Sequence, residues 1–430
     1  MSIARGHLID LTPLRTSPAF ARMWIGSTLS GLGGQLTIVT VMLHVFALTG
    51  STLAVSMIAV TGLAPMVLAG LYGGMLADAF DRRRVALIAA TIAFVSTALL
   101  AALTWTRTET IWWLYALSMV IAAANSVGMA TRTAIVPRLI PRDMLAAASA
   151  LNGVAFGLTV MVGPALAGVL VALTGYGWTY TIDVLLMLTM FLGLWTLPAL
   201  RPEGEVVRPG LASLVDGWRF LRRAGNIRMQ YIVDIIAMTF GNPLALFPAL
   251  GTVILGGGAV TTGMLTAATA VGTFASSLFS GRIVQYRWHG RGISRAVQAY
   301  GAAIVLFGVT LVAGALAPAA SETSPHVALI VLACIALALS GAADNISSIY
   351  RNTMMQAAVP DTMRGRLQGV FVVVVAGGPR IGALYAGTLA TVTALWFPPL
   401  LGGFLVIGLV AALARRNPRF RAYDAENPEP

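Results

Sequence analysis

Apolar runs with few or no charges, each about long enough to cross ~30 Å of hydrocarbon as a helix, recur from one end of this chain to the other. Residues 53–76 carry no charge, and neither do residues 85–105. Twelve runs are separable, at about 20–48, 53–76, 85–105, 111–130, 145–173, a sixth ending near 197, then 229–255, 262–283, 296–316, 327–350, 367–389 and 394–413. Hydrocarbon offers no partner to backbone N–H and C=O groups, so such runs must be helices. The expected fold is all-α and integral to the membrane, with twelve transmembrane helices in two six-helix halves. Hydrophobic residues make up 57% of the 430 residues and charged ones 10%, far below the ~25% of a soluble domain. No sizeable aqueous domain fits between the runs.

The formal net charge is +12, and every one of the 28 basic residues is arginine. No basic patch interleaves with aromatics on a soluble module, so nucleic acid is not an expected partner. The arginines instead follow the even-numbered runs and fill the last stretch (Arg415, Arg416, Arg419, Arg421), while Arg107 alone marks the connections on the other side. By the positive-inside tendency, both termini belong in the cytoplasm of a bacterial inner membrane. No cleavable leader is read in residues 1–17. The expected division is an N-terminal segment at 1–17, a first bundle at 18–200, a linker at 201–228, a second bundle at 229–414 and a tail at 415–430. Within the linker, Leu214, Trp218 and Leu221 share one helical face, the pattern of a helix lying on the membrane surface. Cys334 is the single cysteine, so neither a disulfide framework nor a cysteine metal site is available. Four scattered histidines give no converging nucleophile, base or metal ligands, which argues against an enzyme. No phosphate loop of the glycine–lysine type is present to bring in ATP.

Between the second and third runs stands GGMLADAFDRRR, which packs two aspartates and three arginines into a very short connection. Gly74 and Asp78 fall one helical turn apart, and Arg82 and Arg83 follow. A second signal is internal repetition. Arg132 is followed nine residues later by Pro141 and then Met144, as Arg351 is by Pro360 and Met363; Gly163, Pro164 and Gly168 in run five match Gly378, Pro379 and Gly382 in run eleven. The GGMLADAFDRRR stretch resembles the loop between helices two and three of the major facilitator superfamily, with Asp81 where a second glycine is usual. The resemblance implies a cytoplasmic gate in which Asp78 pairs with a basic residue and with the end of helix eleven. Arg364 and Arg366 are the expected partners from the other half, and Arg132 and Arg351 are further gate arginines. GPALAG resembles the helix-five motif of drug and metabolite antiporters. LTPLRTSPAF, TRTAIVPRLIPRDMLAAASALNG, YIVDIIAMTFGNPLALFPAL and ADNISSIYRNTMMQAAVPDTMRGRLQG, followed by VAGGPR, are similar to the branch that contains the bacterial enterobactin exporter and related macrolide and multidrug efflux proteins.

Ionisable groups inside spans are costly and therefore candidates for function. Asp234 in run seven and Asp344 in run ten fall in the inner third, Asp183 and His44 toward the outer third, and Arg380 just past the middle of run eleven. Asp234 and Asp344 read either as proton carriers or as members of structural ion pairs; Asp183 reads as an ion pair or a helix-end cap. By resemblance, runs one, four, seven and ten line a central cavity, which favours Asp234, Asp344 and His44. Gln35 is either a cargo contact or a hydrogen bond to a neighbouring helix. Arg380, one residue past Pro379, offers a cation to an anionic cargo or to a carboxylate. The functional expectation is a monomeric secondary exporter that needs no cofactor beyond a proton gradient and moves an amphipathic small molecule such as a siderophore. Multidrug or macrolide efflux is the alternative, and a non-transporting sensor or scaffold is a third class.

Overall fold

A computed structural model describes residues 10–198, 219–359 and 361–429, with the side chains at 71, 74, 77, 78 and 361–376 outside the description. The described residues form helices and no strand. After a short turn of helix at Thr12–Thr16 come α1 (Pro18–Thr49), α2 (Thr52–Ala79), α3 (Arg82–Thr106), α4 (Ile111–Leu139) and α5 (Leu145–Trp195). There follow α6 (Gly225–Phe240), α7 (Gly258–Ser277), α8 (His289–Leu316), α9 (Val327–Ala358), α10 (Asp361–Val392), α11 (Phe397–Arg416) and the short α12 (Pro418–Arg421).

Among the described residues, nine helical stretches are long and apolar enough to cross a membrane. One of them holds two passes, because α5 runs 51 residues with a single non-helical residue, Gly175, at φ 81° and ψ 178°. Positive φ of that size excludes an ordinary side chain, so one glycine performs the whole reversal between the fifth and sixth passes. Together with α7 and α10, the helices are consistent with twelve passes. Large apolar side chains such as Ile88, Trp112, Leu192 and Leu316 are exposed, as expected of surfaces that face lipid. Trp105 and Trp178 meet edge to face at 5.3 Å at the end of the first half that carries Arg107 alone, the position of an interfacial aromatic belt.

Two expectations need correction. Arg132 and Arg138 do not lie in a connection after the fourth pass, since α4 continues to Leu139. Backbone bonding continues beyond the apolar window because the extension is packed on its buried side by Ile135, which is fully buried. The seventh pass is not one continuous helix either. It stops at Gly241, resumes as a 3-10 turn at Leu244–Leu246 and ends in a π-helical turn at Leu250–Ile254. Pro243 has no N–H to continue the ladder. The Asn242 side chain accepts from the Leu244 N–H at 3.2 Å, and the Tyr300 hydroxyl donates to the Gly241 carbonyl at 2.6 Å, so the groups released by the break find partners.

The helices form two units, Met1–Val41 with Ala64–Arg208, and Met42–Leu63 with Pro209–Pro430. In the second unit a cluster of buried residues runs through α6, α8, α9 and α11 to the tail, with Ile227, Met354, Val406 and Phe420 at its centre. The residues around the α1–α2 turn belong to this unit because α2 hydrogen-bonds α10 directly. Thr52 Oγ1 donates to the Gly387 carbonyl at 3.0 Å and Ser56 Oγ to the Ala383 carbonyl at 2.7 Å. Of the linker expected at 201–228, the described part is helical at 219–223, with Leu221 buried; Leu214 and Trp218 lie outside the described residues.

Candidate functional site

Three charged side chains meet inside the second unit. Asp234 is on α6, two turns from its start, and Asp344 and Arg351 are two turns apart on α9, which places them on one face. Arg351 Nη1 donates to Asp234 Oδ1 in a short contact, and Arg351 Nη2 reaches Asp344 Oδ1 at 3.4 Å. The exposures differ usefully: 12% for the Arg351 side chain, 6% for Asp234 and 38% for Asp344. Asp234 is therefore the enclosed partner and Asp344 the accessible one. One guanidinium serves two carboxylates, so the cluster carries one negative charge in excess when both acids are ionised. Such a charge inside a membrane protein invites a proton or a cation. Arg351, a gate arginine by resemblance, bridges the two acids.

The first unit has a neutral counterpart. By the internal repeat Arg132 corresponds to Arg351, and seven residues earlier Asn125 stands where the second half has Asp344. Arg132 and Asn125 line a cavity of about 20 Å³ with Ser30 of α1, room for about one water. A Cβ at Gly128 would stand 3.0 Å from Arg132 Nη1, so the glycine lets the guanidinium fold back along its own helix. The same framework in the two halves therefore holds a charged triad once and an arginine among neutral groups once.

The matched glycine–proline motifs do matched work. A Cβ at Gly163 would stand 2.5 Å from Gln35 Cβ on α1, and one at Gly378 would stand 3.0 Å from Met238 Cβ on α6. Gly382, one turn on from Gly378, abuts the Met238 carbonyl of α6. α5 and α10 thus each lean on the first helix of their own half through glycine, and the stem of Gln35 is part of that packing. Arg380, two residues from both Gly378 and Gly382, falls on the face of α10 turned away from this contact. His44 is buried near the end of α1.

In the loop motif, Asp81 caps α3 by accepting from the Arg83 N–H at 3.0 Å. Arg82 Nη1 donates to the Ala134 carbonyl at 2.9 Å and Arg83 Nη2 to the Trp195 carbonyl at 2.6 Å. The two arginines hold ends of the third, fourth and sixth passes together, bonding carbonyls near helix C-termini where a cation is favoured. The side chains of Asp78, Arg364 and Arg366, with Gly74, lie outside the described residues.

Two groups of interest escaped the sequence reading. Tyr300 is one; its neighbour in function, the carbonyl released at Gly241, is signalled by the GNP triplet. The other is Thr37, which donates to Asp183 at 2.5 Å. Asp183 is fully buried, and among the described residues it has no ion pair.

Halves that repeat each other, with a broken helix beside buried charge, belong to the class of secondary transporters. The fold is that of the major facilitator superfamily. A POT family transporter in complex with 5-aminolevulinic acid matches with a TM-score of 0.72 at 11% identity, covering 94% of this chain and 97% of that one. The nucleoside transporter NupG matches at 0.67 and 14% over 94% and 100%, and the inward-open xylose transporter XylE of E. coli at 0.67 and 13% over 92% and 95%. Residues 9–430 match the transmembrane secretion effector family, and the chain belongs to that family. It is similar to the enterobactin exporter EntS of Shigella boydii serotype 18, with 28% identity over 412 residues and 94% of each chain covered. The EntS of Escherichia coli O81 gives the same identity and coverage.

Proposed function

We propose that this multi-pass membrane protein is a secondary exporter that extrudes an amphipathic small molecule, a siderophore foremost, in exchange for protons. The observation that carries the proposal is the shared arginine. With Arg351 engaged by both Asp234 and Asp344, one proton neutralises the cluster, and its departure restores a charge that the surrounding helices must accommodate. Protonation also competes with the guanidinium for a carboxylate oxygen, so loading a proton loosens the contact between α6 and α9. A proton is thereby tied to a helix movement, which alternating access requires.

Similarity to enterobactin exporters over nearly the whole chain supports export and an acidic or catecholate cargo. Arg380 would supply charge-assisted bonds to such a cargo, with Gln35 and His44 as further contacts. Gly74 and Asp78, with Arg364 and Arg366, would form the cytoplasmic gate, and the arginine-bearing helix ends would lie in the cytoplasm of the inner membrane. The cycle needs no cofactor, and one copy of the chain suffices.

The proposal is tested in everted membrane vesicles. Adding cargo to acid-loaded vesicles should release protons, and Asp234→Asn or Asp344→Asn should abolish that release while cargo binding persists. Retention of cargo-driven proton release by both variants would show that coupling lies elsewhere. The cargo is tested separately by comparing secreted metabolites of a deletion strain with its complement. A siderophore missing from the medium supports the assignment, whereas unchanged siderophore with new sensitivity to macrolides and dyes would make the chain a multidrug pump.

A further inference from the structure

We propose that a groove between the arginine-bearing ends of α8 and α11 is a binding site for a phosphate group. The groove is open to solvent on one side and has a volume of about 250 Å³. Arg291 and Arg295, one turn apart on α8, supply one wall, Arg415 at the end of α11 the facing wall, and Arg421 of α12 closes it. The groove exists because Ala411 and Ala414 present small side chains where α11 crosses α8. Ser294 and Gln298 add polar atoms to the lining.

Arg291 lies 5.2 Å over the Trp288 ring, but no described carboxylate answers the charges in this groove. No acid lines it, and among the described residues none of the four arginines has a carboxylate within ion-pair distance. The nearby acids of the tail are engaged elsewhere: Asp424 and Glu426 both bind Arg287, at 2.6 and 3.1 Å. The two helix ends contribute about half a charge each and of opposite sign, the N-terminus of α8 and the C-terminus of α11, so they nearly cancel. What remains is the repulsion of four guanidinium groups around one cavity, which an anion with several oxygens relieves. Phosphate matches the planar fork of arginine with paired hydrogen bonds, and a groove with four such forks holds it from more than one side.

Two sources present that chemistry. One is the headgroup of an anionic phospholipid, which meets the groove at the ends of two membrane-crossing helices, where headgroups lie. The other is soluble phosphate or a phosphate ester. The full chain, purified in neutral detergent, is melted in the presence of phosphatidylglycerol, phosphatidylcholine or inorganic phosphate, and retained lipid is counted by native mass spectrometry. Phosphatidylglycerol should raise Tm and be retained, and phosphatidylcholine should do neither. Combined Arg291→Gln, Arg295→Gln and Arg415→Gln replacement should weaken the lipid effect by about tenfold or more. These side chains are exposed, so the lipid-free Tm should stay near that of the parent. Ala411→Leu fills the groove with every arginine kept and should have the same effect on binding. A Tm rise with inorganic phosphate that the same variants remove, without retention of phosphatidylglycerol, would assign the site to a soluble phosphate. Unchanged binding of both probes by both variants, or equal action of phosphatidylcholine, would overturn the proposal.

Discussion

Asp183 illustrates what a single carboxyl group demands of a membrane interior. Its Oδ2 accepts from Thr37, while Oδ1 has no hydrogen-bond partner among the described residues. The space for it comes from Gly33, where a Cβ would collide with Oδ1. Glycine and threonine one turn apart on α1 therefore form a cradle for an acid on the sixth pass, held by a hydroxyl where the sequence suggested an ion pair or a cap. Thr37→Val keeps the shape and removes the donor, which should cost about 1–3 kcal/mol for a buried polar group left unsatisfied. Thermal unfolding in detergent measures this, and a Tm equal to that of the parent would show that Asp183 does not depend on Thr37. The acid itself was visible in the sequence because charge in a span is rare. Its partner was not, since Thr37 is 146 residues away and one of many threonines in apolar runs.

At the scale of helices, the break in the seventh pass rests on one phenol. Tyr300→Phe removes the donor to the Gly241 carbonyl, which the break at Pro243 has left outside the regular ladder. The expected loss is about 1–2 kcal/mol, again read as a fall in Tm, and a Tm equal to that of the parent would show that the break does not depend on this hydrogen bond. Spans were legible from length and scarcity of charge, and the matched glycine–proline motifs announced the repeat; that they pack α5 on α1 and α10 on α6 came only with the structure. Helix ends were less legible. Arg132, Arg138 and Arg351 ended apolar windows, yet backbone bonding carries α4 and α9 through them. The charged cluster was half legible: Asp234 and Asp344 stood out by the expense of burying them, but Arg351 came to them only through the packing of α6 against α9, which local pattern does not encode.

At the scale of the whole chain, charge is sorted, with nearly all arginines toward one set of helix ends and Arg107 alone at the other. The tail takes part in that order. Arg287 grips the Asp424 carboxylate through Nε at 2.9 Å and Nη2 at 2.6 Å, and Tyr423 is buried beside His289. The hydrogen bonds from Arg287 hold the Asp424 carboxyl well below its ordinary value of about 3.8. A carboxyl depressed on folding adds stability above its ordinary pKa and loses it as pH falls through the lower folded value. Protection of the tail from proteolysis or hydrogen exchange should therefore persist from neutral pH down to about pH 4 and fail only in stronger acid. Asp424→Asn should expose the tail at every pH, and equal protection in that variant would show that burial of Phe420 and Tyr423 suffices.

The one-to-two ratio of cation to acid around Arg351 has an electrical consequence. If, as proposed, the cluster takes up one proton per cycle, a cycle that carries that proton inward against an uncharged cargo transfers one net charge across the bilayer. It then draws on the membrane voltage as well as the pH difference, gaining about 2.3 kcal/mol per 100 mV. Expelling a monoanion in the same cycle moves two charges, and expelling a monocation moves none. Cargo charge therefore sets how strongly transport responds to voltage: an anionic cargo would be driven out hardest by an interior-negative cell, and collapsing the potential with valinomycin and potassium would distinguish these cases at constant pH gradient.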